Sequence, residues 1–324
     1  MKTCLKAGVF VFLALLISYT PVPAAEEFPS KPITLMVPWP AGGSTDIGAR
    51  IVASIAEKKA GQPVVVVNRA GAGSQVGLNE LAHQKPDGYY IGFASLPAAN
   101  TIILDPERKA AFTVDSFLPI INQVLDPGLI WVKADSPYKT LKDLLDDAKK
   151  RPGEIRAATT GIMGDDHLAI LMLEEGTGVS FRIVHFDGGA PQFTGTLGGQ
   201  VDVAFDNVGS VFTKVKAGQV RGLAVMDKER SKFLPDVPTT VELGFPKVIS
   251  SSTRGIMGPA GIPAPIVEKI QKIFMDSMKD PGHIEKMDKV GLAVKPMVGK
   301  EYADYFRQLH QVATPLFEKA RKAN

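Results

Sequence analysis

Cysteine is nearly absent. Cys4 is the only one in 324 residues, so nothing further along the chain can form a disulfide framework, a thiolate nucleophile or a thiolate metal site. The five histidines, at 83, 167, 185, 283 and 310, never fall at the spacing of a helical zinc pair, so no bound metal or other cofactor is expected. A large charge of one sign is missing too. Thirty-seven basic residues face 34 acidic ones, and without Lys2 and Lys6 the excess is one. A nucleic-acid-binding chain would show a concentrated basic face instead. The run Ala7 to Ile17 is too short to span a bilayer, and no later run is long and apolar enough to do so. Neither Ser44 nor Ser95 sits in a Gly-x-Ser-x-Gly elbow, and no fixed-period repeat or low-complexity segment interrupts the chain.

What is present begins with a leader. Lys2 and Lys6 precede the apolar run, and Val22-Pro23-Ala24 offers small residues for cleavage, so residues 1–24 read as a secretory signal peptide and an exported protein is expected. The remaining chain, about 300 residues, is enough for two lobes with ample cores. Strand-like and helix-like segments alternate from Ile33 to Ala94, which predicts a parallel sheet with helices on its faces. The run Val64 to Val67 suits a central strand of that sheet. The alternation restarts at Thr140 and continues to Val225, predicting a second parallel sheet, and helices from Ile266 to Lys322 close the chain. Extended segments near 124–132 and 246–257 are expected to cross between the lobes. This gives lobe 1 as 25–124 with 255–324, and lobe 2 as 125–254, with a hinge between them.

The stretch Val37-Pro38-Trp39-Pro40-Ala41-Gly42-Gly43-Ser44-Thr45-Asp46 joins the first strand to the first helix. Two prolines end the strand, two glycines permit a tight turn, and Ser44, Thr45 and Asp46 are good helix-start residues. Such a turn aims unpaired amides and the positive end of a helix dipole at one point, the outline of an anion site. Phe186-Asp187-Gly188-Gly189-Ala190-Pro191 has the same form, and Thr159-Thr160-Gly161 leads into a helix that starts near Asp165-Asp166-His167. In open α/β sheets ligands sit beyond the strand C-termini, where these turns lie. Asn68 to Gly77 has the wrong glycine spacing for a dinucleotide fingerprint and reads as a structural turn. Arg254 falls in the return crossing. Its guanidinium would either pair with a second ligand carboxylate or form a structural ion pair between lobes.

These motifs resemble those of the tripartite tricarboxylate transporter substrate-binding proteins, the Bug receptors. The likeness runs from Phe28-Pro29-Ser30-Lys31-Pro32-Ile33 through the Val37 to Asp46 turn, Asn68-Arg69-Ala70-Gly71-Ala72-Gly73, Pro86-Asp87-Gly88-Tyr89, Gly188 to Pro191, Gly198-Gly199-Gln200-Val201-Asp202 and Asp236-Val237-Pro238-Thr239 to Pro259-Ala260-Gly261. The resemblance implies a type II periplasmic-binding-protein fold whose two α/β lobes are joined by two crossing segments around a ligand cleft. It also implies a periplasmic, non-enzymatic receptor for a small organic carboxylate, delivered to the membrane components of a tripartite tricarboxylate-type transporter. Carried over by position, Ala41, Gly42, Ser44, Thr45 and Asp46 oppose Gly188, Gly189 and Ala190, with Thr159 and Thr160 nearby. Trp39, Ser95, Asp206 and Arg254 complete the candidate set. A dicarboxylate or aromatic carboxylate and a monomeric receptor are expected. The alternatives are the ligand-binding component of a carboxylate sensor and an exported carboxylate-ester hydrolase. The chain departs from the family pattern at Phe186-Asp187, usually tyrosine and lysine, at Asp165-Asp166, usually small and polar, and at Arg254, where an aromatic is common.

Overall fold

The computed structural model describes residues 27–323 apart from Met163; the leader expected at 1–24 lies outside them. The first half of the chain forms β1 (Ile33–Val37), α1 (Ser44–Ala60), β2 (Val64–Asn68), α2 (Gln75–Ala82), β3 (Tyr90–Leu96) and α3 (Ala98–Leu104). A 17-residue strand, β4 (Phe117–Lys133), then leads to α4 (Leu141–Lys150), β5 (Arg156–Thr159), α5 (Asp165–Thr177), β6 (Arg182–His185), α6 (Gly189–Leu197), β7 (Val203–Asn207), α7 (Val208–Lys216) and β8 (Val220–Met226). The chain returns through β9 (Ser251–Pro259) and ends with α8 (Ala264–Met278), α9 (Pro281–Lys289), β10 (Val294–Val298) and α10 (Lys300–Ala323).

Local chemistry accounts for these elements. Thr140 and Asp143 form a reciprocal capping box at the start of α4, whose Leu141, Leu144, Leu145 and Ala148 bury one face. Gly61 ends α1 in the left-handed conformation that glycine adopts without strain.

The strands run β2-β1-β3-β9-β4-β7-β5-β6, with β8 and β10 also pairing with β4. Residues 117–127 of β4 pair with β9, and residues 128–133 pair with β7 and β8. The two crossing segments are therefore adjacent antiparallel strands. β1–β3 pair in parallel, as do β5–β7, but β8 is antiparallel to β4. This corrects the expectation of a wholly parallel second sheet: β4 enters that sheet from the other half of the molecule and runs against its neighbours. β2 is an edge strand with Val65 48% exposed, so Val64 to Val67 is not central. Its valines are instead half covered by α1. The elements α3 and β10 had no counterpart in the sequence reading.

One apolar core lies beneath each half, around Ile33, Leu35, Phe93 and Phe274 in one and Ile130, Leu144, Ile170 and Phe205 in the other. The closing helices cover the first half: α8 packs on α1, and α10 packs on α3 and β4. α10 also reaches the second half, where Ala313 and Phe317 meet Leu168 of α5. Its Tyr302 is fully buried because Gly255 of β9 leaves room for the ring. A Cβ at 255 would lie 2.6 Å from the Tyr302 hydroxyl and 2.8 Å from Asn122 Cα. Gly255→Ala should cost about 2 kcal/mol of stability through overpacking, measured by chemical denaturation; a loss under about 0.5 kcal/mol would contradict this packing.

Candidate functional site

The site is assembled from four helix starts at the C-terminal ends of strands. At the first, Ala41, Gly42 and Gly43 are exposed and Gly43 caps α1 in an extended conformation, with no side chain covering the first-turn amides. Gly188, at φ +98°, caps α6 in the same unadorned way. Pro191 lacks an N–H, so Gly189 and Ala190 carry the free amides of that end. Both turns present donors and a partial positive charge to solvent.

The first turn is held from within. Asp46 accepts from Gly42 N at 2.9 Å, from Arg50 Nε at 3.0 Å and from Asn68 Nδ2 at 3.0 Å. Burial works against its ionised form, but Arg50, the Gly42 amide and Asn68 outweigh this and lower its pKa. Asn68 also donates to Trp39 O at 2.9 Å, and Trp39 Nε1 donates to Ser95 Oγ at 3.0 Å. Asp46 and the Gly42 amide are thus consumed in shaping the turn and do not face outward; Ser44 and Thr45 carry the open end of the helix.

On the opposing side, Thr159 is fully buried, with its hydroxyl donating to Gly161 O at 3.1 Å and hydrogen-bonded to His185 Nδ1 at 2.7 Å. It shapes its own turn. Thr160 braces its own turn and ties it to a second: its N–H donates to Asp166 at the start of α5, and its carbonyl accepts from Gly188 N of the β6–α6 turn at 3.1 Å.

Between the two turns runs a buried polar seam. Arg254, 3% exposed, donates from Nη1 to Asp126 Oδ2 at 2.9 Å and from Nη2 to Ser44 Oγ at 3.0 Å. Asp126, 1% exposed, also accepts from Gly209 N at 3.0 Å. Asn207 Nδ2 bridges Asp126 O at 3.2 Å and Asp165 Oδ2 at 2.7 Å. Asp206 is buried, accepts from Asn207 N at 2.6 Å, and lies where a methyl on Gly189 would sit 3.5 Å from its Oδ2. Ser44, Arg254, Asp206 and Gly189, far apart in sequence, therefore belong to one contiguous group.

Burial dominates the electrostatics of the seam. It raises the pKa of Asp126 despite the guanidinium, raises those of Asp165 and Asp166, and pushes Asp206 up to about 7. The folded state therefore holds a proton on Asp206 where the unfolded chain has lost it. This group favours the fold below the ordinary carboxylate range and destabilises it as pH rises from about 4 to 7. His167 is lowered to about 4, first by burial and then by His185, so it is neutral at neutral pH.

The partner of Arg254, Asp126, escaped the sequence reading. Its signal was there: a lone acid inside the apolar strand Val124 to Val132. Asp165 and Asp166, expected at a helix start, both lie in the first turn of α5, where Asp166 accepts from His167 N at 2.9 Å.

Two α/β halves linked by two crossing strands, with amide-rich turns at the C-terminal ends of their strands, have the architecture of the type II periplasmic-binding class. Residues 48–320 match the model of the tripartite tricarboxylate transporter family receptor, and the chain belongs to that family, one of solute-binding receptors rather than enzymes. BugT of Bordetella pertussis (strain Tohama I) is 32% identical over 288 residues, covering 87% of each chain. The structure of Rpa4515 with adipate, from R. palustris, shares 26% identity at a TM-score of 0.80, covering 91% of this chain and 98% of that one. The structure of MatC from Rhodopseudomonas palustris with bound malate shares 26% identity at a TM-score of 0.77, covering 90% and 99%.

Arg254→Met strands a buried carboxylate and should cost about 3–5 kcal/mol, with the loss growing as pH rises because burial raises the pKa of Asp126 and favours its protonated form at low pH. The double variant Arg254→Met/Asp126→Asn should recover part of that loss in denaturation experiments. Full additivity of the two single losses would contradict the pairing.

Proposed function

We propose that this protein is a periplasmic receptor that closes its two lobes on a small organic carboxylate and hands it to the membrane components of a tripartite tricarboxylate-type transporter. The lobes of this reading are 25–124 with 255–324, and 125–254, hinged where β4 and β9 cross. The observation that carries it is the pair of uncapped helix starts, Ser44-Thr45 and Gly189-Ala190, joined by the seam through Arg254 and Asp206. Backbone amides at helix N-termini suit a carboxylate of any parent molecule, so they fix the anionic group without choosing the ligand. Choice falls to side chains. Arg254 keeps one donor edge beside Ser44, which supports a second carboxylate and hence a dicarboxylate, and the adipate and malate structures of relatives lend support to that class. An aromatic carboxylate, with its ring near Trp39, is the other member of the expected class. The receptor acts as a monomer in this reading.

A thermal-shift screen of the purified protein against mono-, di- and tricarboxylates tests it. A ligand at one hundred times its Kd stabilises the fold by about 2.7 kcal/mol, which should raise Tm by about 5 °C or more. Dicarboxylates should give the largest shifts, and no shift with any carboxylate would overturn the reading.

A further inference from the structure

The crossing strands are not the only joint between the halves, because helices of one half also touch the other half on both faces of the sheet. In the second half α5 covers the face that carries Ile130 and Val132 of β4, and α7 covers the face that carries Leu129 and Trp131. In the first half α1 and α8 cover one face, while α3 and α10 cover the other.

On the α7 face the contact is an interlock. Phe212 of α7 lies over Gly291, in the turn between α9 and β10, so closely that a Cβ at 291 would sit 2.1 Å from its ring. Leu292, 1% exposed, fills the space left by Gly209 of α7, where a Cβ would lie 2.6 Å from the Leu292 Cδ2 and 3.2 Å from Gly291 O. Side chain meets backbone in both directions, and such packing neither compresses nor slides without overlap.

On the α5 face the contact is side chain against side chain. Ala313 and Phe317 of α10 meet Leu168 of α5, with Met172, Leu104 and Leu316 at the edges. The earlier part of α10 is fixed to the first half: Tyr302 and Phe306 are buried, and Phe306 O accepts from Asn100 Nδ2 at 2.9 Å. Pro315 removes a backbone hydrogen bond from the helix just where it reaches α5. Rotamer changes let this contact shift without driving backbone into backbone.

The two contacts lie on opposite faces of a sheet that runs unbroken through β9 and β4. Bending that sheet towards one face closes the contact there and opens the other. The Gly209–Leu292 contact is already at its limit, so it serves as the fulcrum and the movement is taken up between α10 and α5.

We propose that α10 is a brace that sets the resting angle of the two lobes: they turn about the Leu292 contact, and the apolar contact of Ala313 and Phe317 with Leu168 gives way when they do. This rests on the lobe closure of the reading above and adds what limits it. A solute that closes the lobes must supply the free energy of that contact, so the strength of the brace sets part of the affinity for whatever is bound.

The resting angle is measurable with no solute present. Cys4 is the one cysteine of the chain, so residues 25–324 accept spin labels at introduced cysteines without competition. With labels at Lys58→Cys on α1 and Lys149→Cys on α4, both exposed, double electron–electron resonance reads the separation of the lobes. Phe317→Ala and Leu168→Ala, one on each side of the contact, should each widen the distance distribution by about half or more, and the double variant should do no more than the larger single change. Val312→Ala, at an exposed position of the same helix, should leave the distribution as it is. Leu168→Ala alters nothing in α10, and retained amide-exchange protection at Tyr302 to Phe306 shows the helix still seated. Unchanged distributions in both single variants, or additive widening in the double, overturn the inference. Because no carboxylate is added, a failed thermal-shift screen leaves this result standing, and an unchanged distribution leaves the carboxylate reading standing.

Discussion

Arg254 on β9 and Asp126 on β4 meet at 2.9 Å almost without solvent, and the cleft takes its shape from that contact. Isolated, either charge would be too costly to bury; together they require further hydrogen bonds to complete the guanidinium and carboxylate shells. The chain supplies them from two directions. Ser44, at the first turn of α1, accepts from the guanidinium, and Gly209, at the first turn of α7, donates to the carboxylate. One ion pair thereby fixes the two crossing strands to each other and sets a helix start from each half of the molecule against them.

Four helix N-termini converge on the seam, and they divide into two kinds. Those of α5 and α7 are occupied by the protein's own carboxylates: Asp166 accepts from His167 N, Asp126 from Gly209 N, and Asp206 from N of the capping residue Asn207. Those of α1 and α6 are left open behind glycines, because neither Gly43 nor Gly188 has a side chain with which to cap. The occupied ends are closed by buried carboxylates whose pKa values burial raises, and the open ends keep free amides that suit an anion.

Much of this was legible in the sequence, for identifiable reasons. Strand-turn-helix punctuation located β1, α1, β6 and α6, because glycine pairs and prolines act locally and need no tertiary context. The crossings were visible as long extended segments, and Arg254 drew notice as a charge within one of them. What stayed hidden depended on partners distant in sequence. Asp126 is 128 residues from Arg254 and gave no periodic signal. Asp46 reads as a ligand contact until Arg50 and Asn68 are seen to enclose it. The run Val64 to Val67 suggested a central strand, since a valine run fits any strand well covered by a helix, and only the pairing order places it at the edge. β10 was missed because Lys295 and Pro296 interrupt its apolar pattern.

The central claim is that a ligand carboxylate lies between the two open helix starts. A crystal structure of the protein with a bound dicarboxylate measures this directly. The account predicts one carboxylate within about 3 Å of amides among Ser44, Thr45, Gly189 and Ala190, with the Asp46 carboxylate still turned inward to Gly42 and Arg50. A ligand bound elsewhere, or one held without any of those four amides, would contradict it.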